Sequence, residues 1–381
     1  MRIVVLGYIV RGPLGGMAWH HLQYVLGLHR LGHDVHFLED SDDYPSCYHP
    51  ERYVCGTDPS FGLRFAADAF ERLGLGERWA YHDAHTARWL GPAADRALDA
   101  CRDADVLVNV SGVTPLREWH LRIPVRVLVD TDPVFTQIRH LADPAAHAAA
   151  ARHTAFLSFG ENIGTEGDGV PRDGFDWRPT RQPVVLDAWP VTPGPADAPF
   201  TTVMQWDSYP PREHAGRRYG MKSASFEPYV DLPRRTRARL EIALGSATAP
   251  VAMLRERGWH VRDPYEVTKD PWAYQQYIRD SKGEFTVAKH GYVASRSGWF
   301  SERSAVYLAS GRPVVTQDTG FRRILEADAG LLAYGSPDEA VAAIEAVTRD
   351  YARHCEAARE VAAAYFDANV VLPRLLDAAA G

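Results

Sequence analysis

The sequence predicts an α/β protein made of two doubly wound domains that face a central cleft. At 381 residues the chain exceeds one ordinary core and suits two domains of roughly 150–200 residues each. Each half alternates short, β-branched apolar runs with helical stretches, the pattern of a parallel sheet covered on both faces. Between the halves, residues 163–200 lose this pattern, because "GTEGDGVPRDGFDWRPTRQP" and "WPVTPGPADAP" are rich in Gly, Pro and Asp. The expected division is therefore 1–190 and 191–360, with 361–381 a terminal helix returning toward the first domain.

The elements follow in order. "RIVVL" (2–6) reads as a buried strand, and the helix after "RGPLGG" (11–16) puts Ala18, Leu22, Val25 and Leu26 on one face. Gly32 follows Leu31 where a left-handed residue should end that helix, and "DVHFL" is the second strand. "ADVLVNV" (104–110), "VRVLVD" (125–130) and "TAFLSF" (154–159) extend the first sheet. The second half restarts with "FTTVMQW" (200–206), "LEIALG" (240–245) and "WHV" (259–261). It continues with "EFTVAK" (284–289), "PVVTQD" (313–318) and "GLLAY" (330–334). "SPDE" (336–339) is a capping box with Pro at the first helical position, opening a helix over 337–350. A final helix is predicted near 357–380.

Composition excludes several classes. With 46% hydrophobic and 24% charged residues the chain is globular and ordered. No apolar run nears the roughly 18–20 residues that span a bilayer. No leader precedes the first strand, and Cys47, Cys55, Cys101 and Cys355 show neither metal nor disulfide spacing, so a reducing cytoplasm is expected. A net charge of -7 argues against nucleic acid or an anionic membrane as the main partner. Lysine is scarce, 4 residues against 38 arginines, which draws attention to any lysine in a candidate site.

Ligands of open α/β sheets bind beyond the carboxyl ends of the strands, and every candidate motif follows a strand. Gly15 and Gly16 open the first helix, where backbone N–H groups can meet a phosphate. The glycines at 7, 12, 15 and 16 do not fit G-x-G-x-x-G, but Glu39 and Asp40 at the second strand end keep a dinucleotide-dependent oxidoreductase as an alternative. Ser301 is a plausible N-cap, which would leave the N–H groups of Arg303 and Ser304 near the cleft and let the Arg303 side chain reach phosphate oxygens. Lys289 ends "EFTVAK", where burial without an anion would be costly, so it reads as ligand-facing. Asp130 ends "VRVLVD", and its carboxylate is expected at the cleft, holding sugar hydroxyls or accepting a proton. Glu161 in "FGENIG" follows another strand, and His20 and His21 open the first helix. "PRRTRAR" (233–239) reads as a solvated helix face, and the G-x-S-x-G of hydrolases is absent.

Two stretches resemble a known group. "GGMAWHHLQYVLGLHRLGHDVHFL" (15–38) and "SGWFSERSAVYLASGRPVVTQDTG" (297–320) are similar to family 4-type glycosyltransferases of the GT-B fold, nearest to the spore-maturation-type variant. The resemblance implies two Rossmann-like domains, the first binding the acceptor and the second the donor. It implies a bacterial hexosyltransferase that moves sugar from a nucleotide-diphosphate sugar to a small-molecule or glycan hydroxyl. Configuration would be retained through a front-face displacement, with no metal and no cofactor beyond the sugar nucleotide. Arg218 and Lys222 in "RRYGMK" would contact the diphosphate. The family's two glutamates fall on Gly298 and Val306, leaving Glu302 as the nearby acidic residue in a shifted register. Asp130 stands where a histidine commonly ends the strand. The "DTD" at 130–132 is set aside as a metal motif, since octahedral Mg or Mn would want further ligands. The absent glutamate pair raises a second alternative, a non-catalytic binding protein for sugar nucleotides.

Overall fold

The computed structural model describes residues 1–380. The first sheet contains β1 (Arg2–Leu6), β2 (Asp34–Asp40), β5 (Trp79–Asp83), β6 (Arg88–Leu90), β7 (Val106–Val110), β8 (Val125–Asp130), β9 (Ala155–Ser158) and β10 (Trp177–Pro179). A separate hairpin of β3 (Cys47–His49) and β4 (Val54–Gly56) projects from it. The order is β10-β9-β8-β7-β1-β2-β5-β6, parallel except for β6 at one edge. The second sheet contains β11 (Phe200–Gln205), β14 (Leu240–Gly245), β15 (His260–Arg262), β16 (Gly283–Thr286), β17 (Val314–Gln317) and β18 (Leu331–Tyr334). A second hairpin, β12 (Arg212–His214) and β13 (Arg217–Tyr219), interrupts it in sequence, and the sheet order is β15-β14-β11-β16-β17-β18 throughout parallel.

Both sheets therefore start in the middle and wind outward in two directions. The reversal lies between β1 and β7 in the first sheet and between β11 and β16 in the second. Loops diverge at such a reversal and leave a crevice at the carboxyl edge, which is what positions a ligand site. The central strands are apolar on both faces because helices cover both; Ile3, Val4, Val5 and Leu6 are all fully buried.

Two features set the loop after β1. The Glu39 carboxylate, at the end of β2, accepts the backbone N–H groups of Ile9, Val10 and Arg11 at 2.6–2.8 Å. It is thus committed inside the protein, and Asp40 is likewise buried against His82 and Arg117, so neither acidic residue that kept the oxidoreductase alternative open is available to a ribose. Gly15 begins the helix Gly15–Arg30 pressed against the backbone of the other half, where a Cβ would stand 2.2 Å from the carbonyl oxygen of Asp270. Trp19 Nε1 donates to the Pro271 carbonyl at 2.8 Å nearby. This helix is accordingly packed on the helix Pro271–Arg279 of the second half.

A single apolar cluster runs from Ile3 and Leu22 through Tyr307 and Val314 to Leu372. The predicted terminal helix is two helices, Tyr351–Tyr365 and Ala368–Ala380. The break comes where Val184 donates to Phe366 O at 2.7 Å and Ala368 donates to Val184 O at 2.9 Å, so a tertiary bridge ends one helix and starts the next. Ala368–Ala380 contacts the helix Gly15–Arg30 and strands β8 and β9. β10 lies inside the stretch whose Gly, Pro and Asp content suggested only a break, and it adds an edge strand to the first sheet.

Candidate functional site

A cleft of about 1400 Å³ opens between the carboxyl edges of the two sheets. Its most telling group is Lys222, the first residue of the helix Lys222–Phe226. Its ammonium group has no hydrogen-bonding or ion-pair partner among the described residues. Burial, followed by the charge of Arg303, lowers its pKa well below the ordinary lysine value, and Lys289 acts the same way; Glu284 and Glu302 only partly offset this. A lysine held against its own charge at the wall of a cleft favours an arriving anion.

The helix Glu302–Ala309 presents its N-terminus to the same space, with Ser301, Glu302 and Arg303 on the wall. Ser301 is the N-cap, and its Oγ accepts the N–H of Arg303 at 3.2 Å, so that N–H is not free as expected. The Arg303 side chain is also committed: Nε donates to Glu284, one terminal nitrogen donates to Val203 O at 2.8 Å, and the other donates to Thr286 Oγ1 at 2.9 Å. Glu284 is fully buried in β16, so the main role that the structure gives Arg303 is to neutralise a core carboxylate at the wall of the cleft. Ser304 is fully buried, with its Oγ unpartnered. Glu302, half-buried, lines the cleft, and its charge is felt by His20, Tyr8 and Lys222.

Arg218 lies on β13, exposed and off the cleft. The hairpin that carries it was not read from the sequence, and its other strand supplies the cleft with Arg212 instead. Gly16 does line the cleft, whereas Gly15 faces Asp270.

Asp130 does not emerge as expected. It is 2% exposed, and its carboxylate accepts from Thr136 Oγ1 at 2.7 Å, Ser158 Oγ at 2.8 Å, the Asp132 N–H at 2.9 Å and Gln137 Nε2 at 3.1 Å. Burial raises its pKa despite those donors. Asp130 is therefore an organiser of the loop after β8, and the residue that loop delivers to the cleft is Asp132. Asp132 reaches the second half: Lys289 Nζ donates to it at 2.9 Å, and the Tyr209 and Tyr292 hydroxyls donate as well. Lys289 thus has an internal partner, and its ammonium also lies 4.5 Å from the Tyr209 ring centroid.

His20 lines the cleft but is buried, not on the helix surface. Its Nδ1 is 2.8 Å from Gln182 Oε1, an acceptor that assigns the ring proton to Nδ1, and Nε2 faces Ser111 Oγ at 3.4 Å. Burial lowers its pKa and keeps the ring neutral. Ser111, at φ 65°, hydrogen-bonds Thr131 Oγ1 at 2.8 Å, so the ends of β7 and β8 meet beside His20. Glu161 points away from the cleft into an ion pair with Arg181.

Among the described residues no three His, Cys, Asp or Glu side chains come together as a metal site, and no helix is long and apolar enough to cross a membrane. No protein-family model and no curated protein matches the chain. Solved structures do match. An alpha-glucosyltransferase in complex with UDP and a 13-mer DNA has a TM-score of 0.62 at 12% identity, covering 100% of this chain and 99% of its own. Sucrose-phosphate synthase from Thermosynechococcus elongatus covers 100% of both chains, with a TM-score of 0.53 and 14% identity. HepE of Anabaena, in complex with UDP and glucose, has a TM-score of 0.53 and 11% identity over 99% of this chain and 98% of its own.

The first of these corrects the expectation that nucleic acid is no partner, since that neighbour is itself bound to DNA. Net charge was the wrong quantity to use. A net charge of -7 does not describe the cleft itself, which is lined by Arg139, Arg212 and Lys222 as well as by Asp132, Asp263 and Glu302. At these identities the likeness establishes the architecture: two Rossmann-like sheets facing a cleft, the GT-B fold of these glycosyltransferases.

Proposed function

We propose that the protein transfers a sugar from a nucleoside diphosphate sugar to an acceptor hydroxyl, as a retaining, metal-independent hexosyltransferase of the family 4 type acting in the cytoplasm. Lys222 carries this reading: an unpaired, charge-starved lysine beside a helix N-terminus, at the point where β11 and β16 diverge. UDP in the matched alpha-glucosyltransferase and HepE structures supports a nucleoside diphosphate as its ligand. In this reading residues 1–190 hold mainly the acceptor and 191–360 the donor, with 361–381 tying back to the first part.

As the glycosidic bond breaks, negative charge grows on the departing diphosphate. Lys222 and the N-terminus of the helix Glu302–Ala309, through the N–H of Glu302, are placed to meet it. The helix Gly15–Arg30 adds a second N-terminus through Gly16. Glu302 takes donor hydroxyls from a position between those of the family's glutamates. The acceptor hydroxyl, oriented by Asp132 and His20, attacks from the face the diphosphate leaves and passes its proton to the departing phosphate oxygen.

A thermal-shift and turnover screen against sugar nucleotides tests this. A true donor at 100 times its Kd stabilises by about 2.7 kcal/mol. Released nucleoside diphosphate then reports transfer or hydrolysis. Absence of any shift across the panel would refute the reading, and binding without release would favour the non-catalytic alternative.

A further inference from the structure

The hairpin β3–β4 belongs to the first half yet reaches over the second. The Tyr53 hydroxyl donates to the two Asp263 carboxylate oxygens at 2.8 and 3.0 Å, and the Tyr265 hydroxyl donates to Glu51 Oε1 at 3.0 Å. At its other end the Tyr48 N–H donates to Arg11 O at 2.9 Å, tying the hairpin to the loop that Glu39 holds. Tyr53 has φ 55°, a left-handed conformation that a tyrosine adopts only under constraint. The residue is nevertheless 57% exposed, so the constraint does not serve core packing. Tyr48, Pro50 and Tyr53 line the cleft together with Ser246 and Arg262, at the carboxyl ends of β14 and β15, and Arg255 on the helix between those strands.

A diphosphate seated where β11 and β16 diverge has its nucleoside to one side. On the β14–β15 side, that wall is aromatic and comes from the other half of the protein. Tyrosine faces suit a nucleobase, since every base offers a flat π surface. We propose, on the glycosyl-transfer reading above, that hairpin β3–β4 completes the nucleoside subsite, with Tyr48 and Tyr53 closing over the base and the Tyr53–Asp263 and Tyr265–Glu51 bonds holding the hairpin shut. The donor is then gripped by both halves at once. Base affinity depends on residues far from the strands that hold the phosphates.

The test uses calorimetry on the full chain with UDP, GDP, ADP, CDP and TDP. The tightest binder is then compared with inorganic pyrophosphate, which lacks the nucleoside. The double variant Tyr48→Ala/Tyr53→Ala is expected to bind the nucleoside diphosphate about 10- to 100-fold more weakly, with pyrophosphate affinity unchanged. Tyr53→Phe, which keeps the ring and the fold but loses the bond to Asp263, is expected to lose about two- to ten-fold. Unchanged nucleotide affinity in the double variant would overturn the inference. So would an equal loss for pyrophosphate, or a Tyr53→Phe loss as large as the double variant's. If the unaltered protein bound none of the five diphosphates, the glycosyl-transfer reading would fall and this inference with it. That result is distinct from an unaltered protein that binds and a variant that binds equally well.

Discussion

Replacing Lys222 by methionine separates a ligand role from a structural one. The substitution keeps most of the side-chain volume and removes the charge. In the unliganded protein Lys222 has no anionic partner, and burial holds its pKa below the ordinary value near 10.4. Between the depressed folded pKa and about 10.4 the unfolded chain binds the extra proton, so stability rises with pH across that window. The lysine therefore opposes folding throughout the pH range below it, and Lys222→Met should melt no lower than the unaltered protein. Diphosphate binding should move the other way. Loss of a charge-assisted contact amounts to roughly 1.5–3 kcal/mol, or about 10- to 150-fold in Kd. Because the arriving diphosphate raises the lysine's pKa, binding should take up protons and weaken as pH rises through the free-state value. Isothermal titration with UDP in buffers of different ionisation enthalpy reads both effects. A variant that binds UDP as tightly, or an uptake of protons that survives the substitution, would refute the reasoning.

Three further outcomes are expected. Arg303→Ala leaves Glu284 buried without its partner and should destabilise by about 3–5 kcal/mol in chemical denaturation; a folded variant with selectively lost diphosphate affinity would instead return Arg303 to the site. Asp132→Asn should lower turnover about 100-fold or more while UDP affinity, measured calorimetrically, stays nearly constant. Asp130→Asn replaces an oxygen that accepts a hydrogen bond with an amide that donates, so it should appear first as a lower melting temperature, at about 1–3 kcal/mol.

The strands were legible because a parallel strand covered on both faces must be a short apolar run, and "RIVVL" or "VRVLVD" can be little else. The two hairpins were not, since β3–β4 and β12–β13 are three-residue strands with little buried apolar surface to impose a period. Lys222 was visible as one of few lysines, placed just after the first strand of the second half. Arg303 misled for a physical reason: its partner Glu284 lies 19 residues away on β16, and local sequence does not show a tertiary ion pair. Asp130 and Asp132 share one "DTD", but strand register decides between them. The last residue of β8 still belongs to the buried layer, and only the loop beyond it is free to turn to the cleft. The convergence of Tyr209, Tyr292 and Lys289 of the second half on Asp132 of the first had no local signal, because the aspartate they share is 77 or more residues away in sequence.

The apolar cluster that passes from Ile3 through Tyr307 to Leu372 bears on how the molecule comes apart. A protein of two sheets joined by a bare linker melts as two bodies and opens freely about its hinge. Here neither half can unfold without exposing side chains on which the other half rests, so heating should give one calorimetric transition whose van't Hoff and calorimetric enthalpies agree. The same continuity confines motion to the side of the cleft away from the helices Gly15–Arg30 and Pro271–Arg279. Any opening of the cleft would have to break the Tyr53–Asp263 and Tyr265–Glu51 bonds at its tips before it disturbed the packed helices at its root.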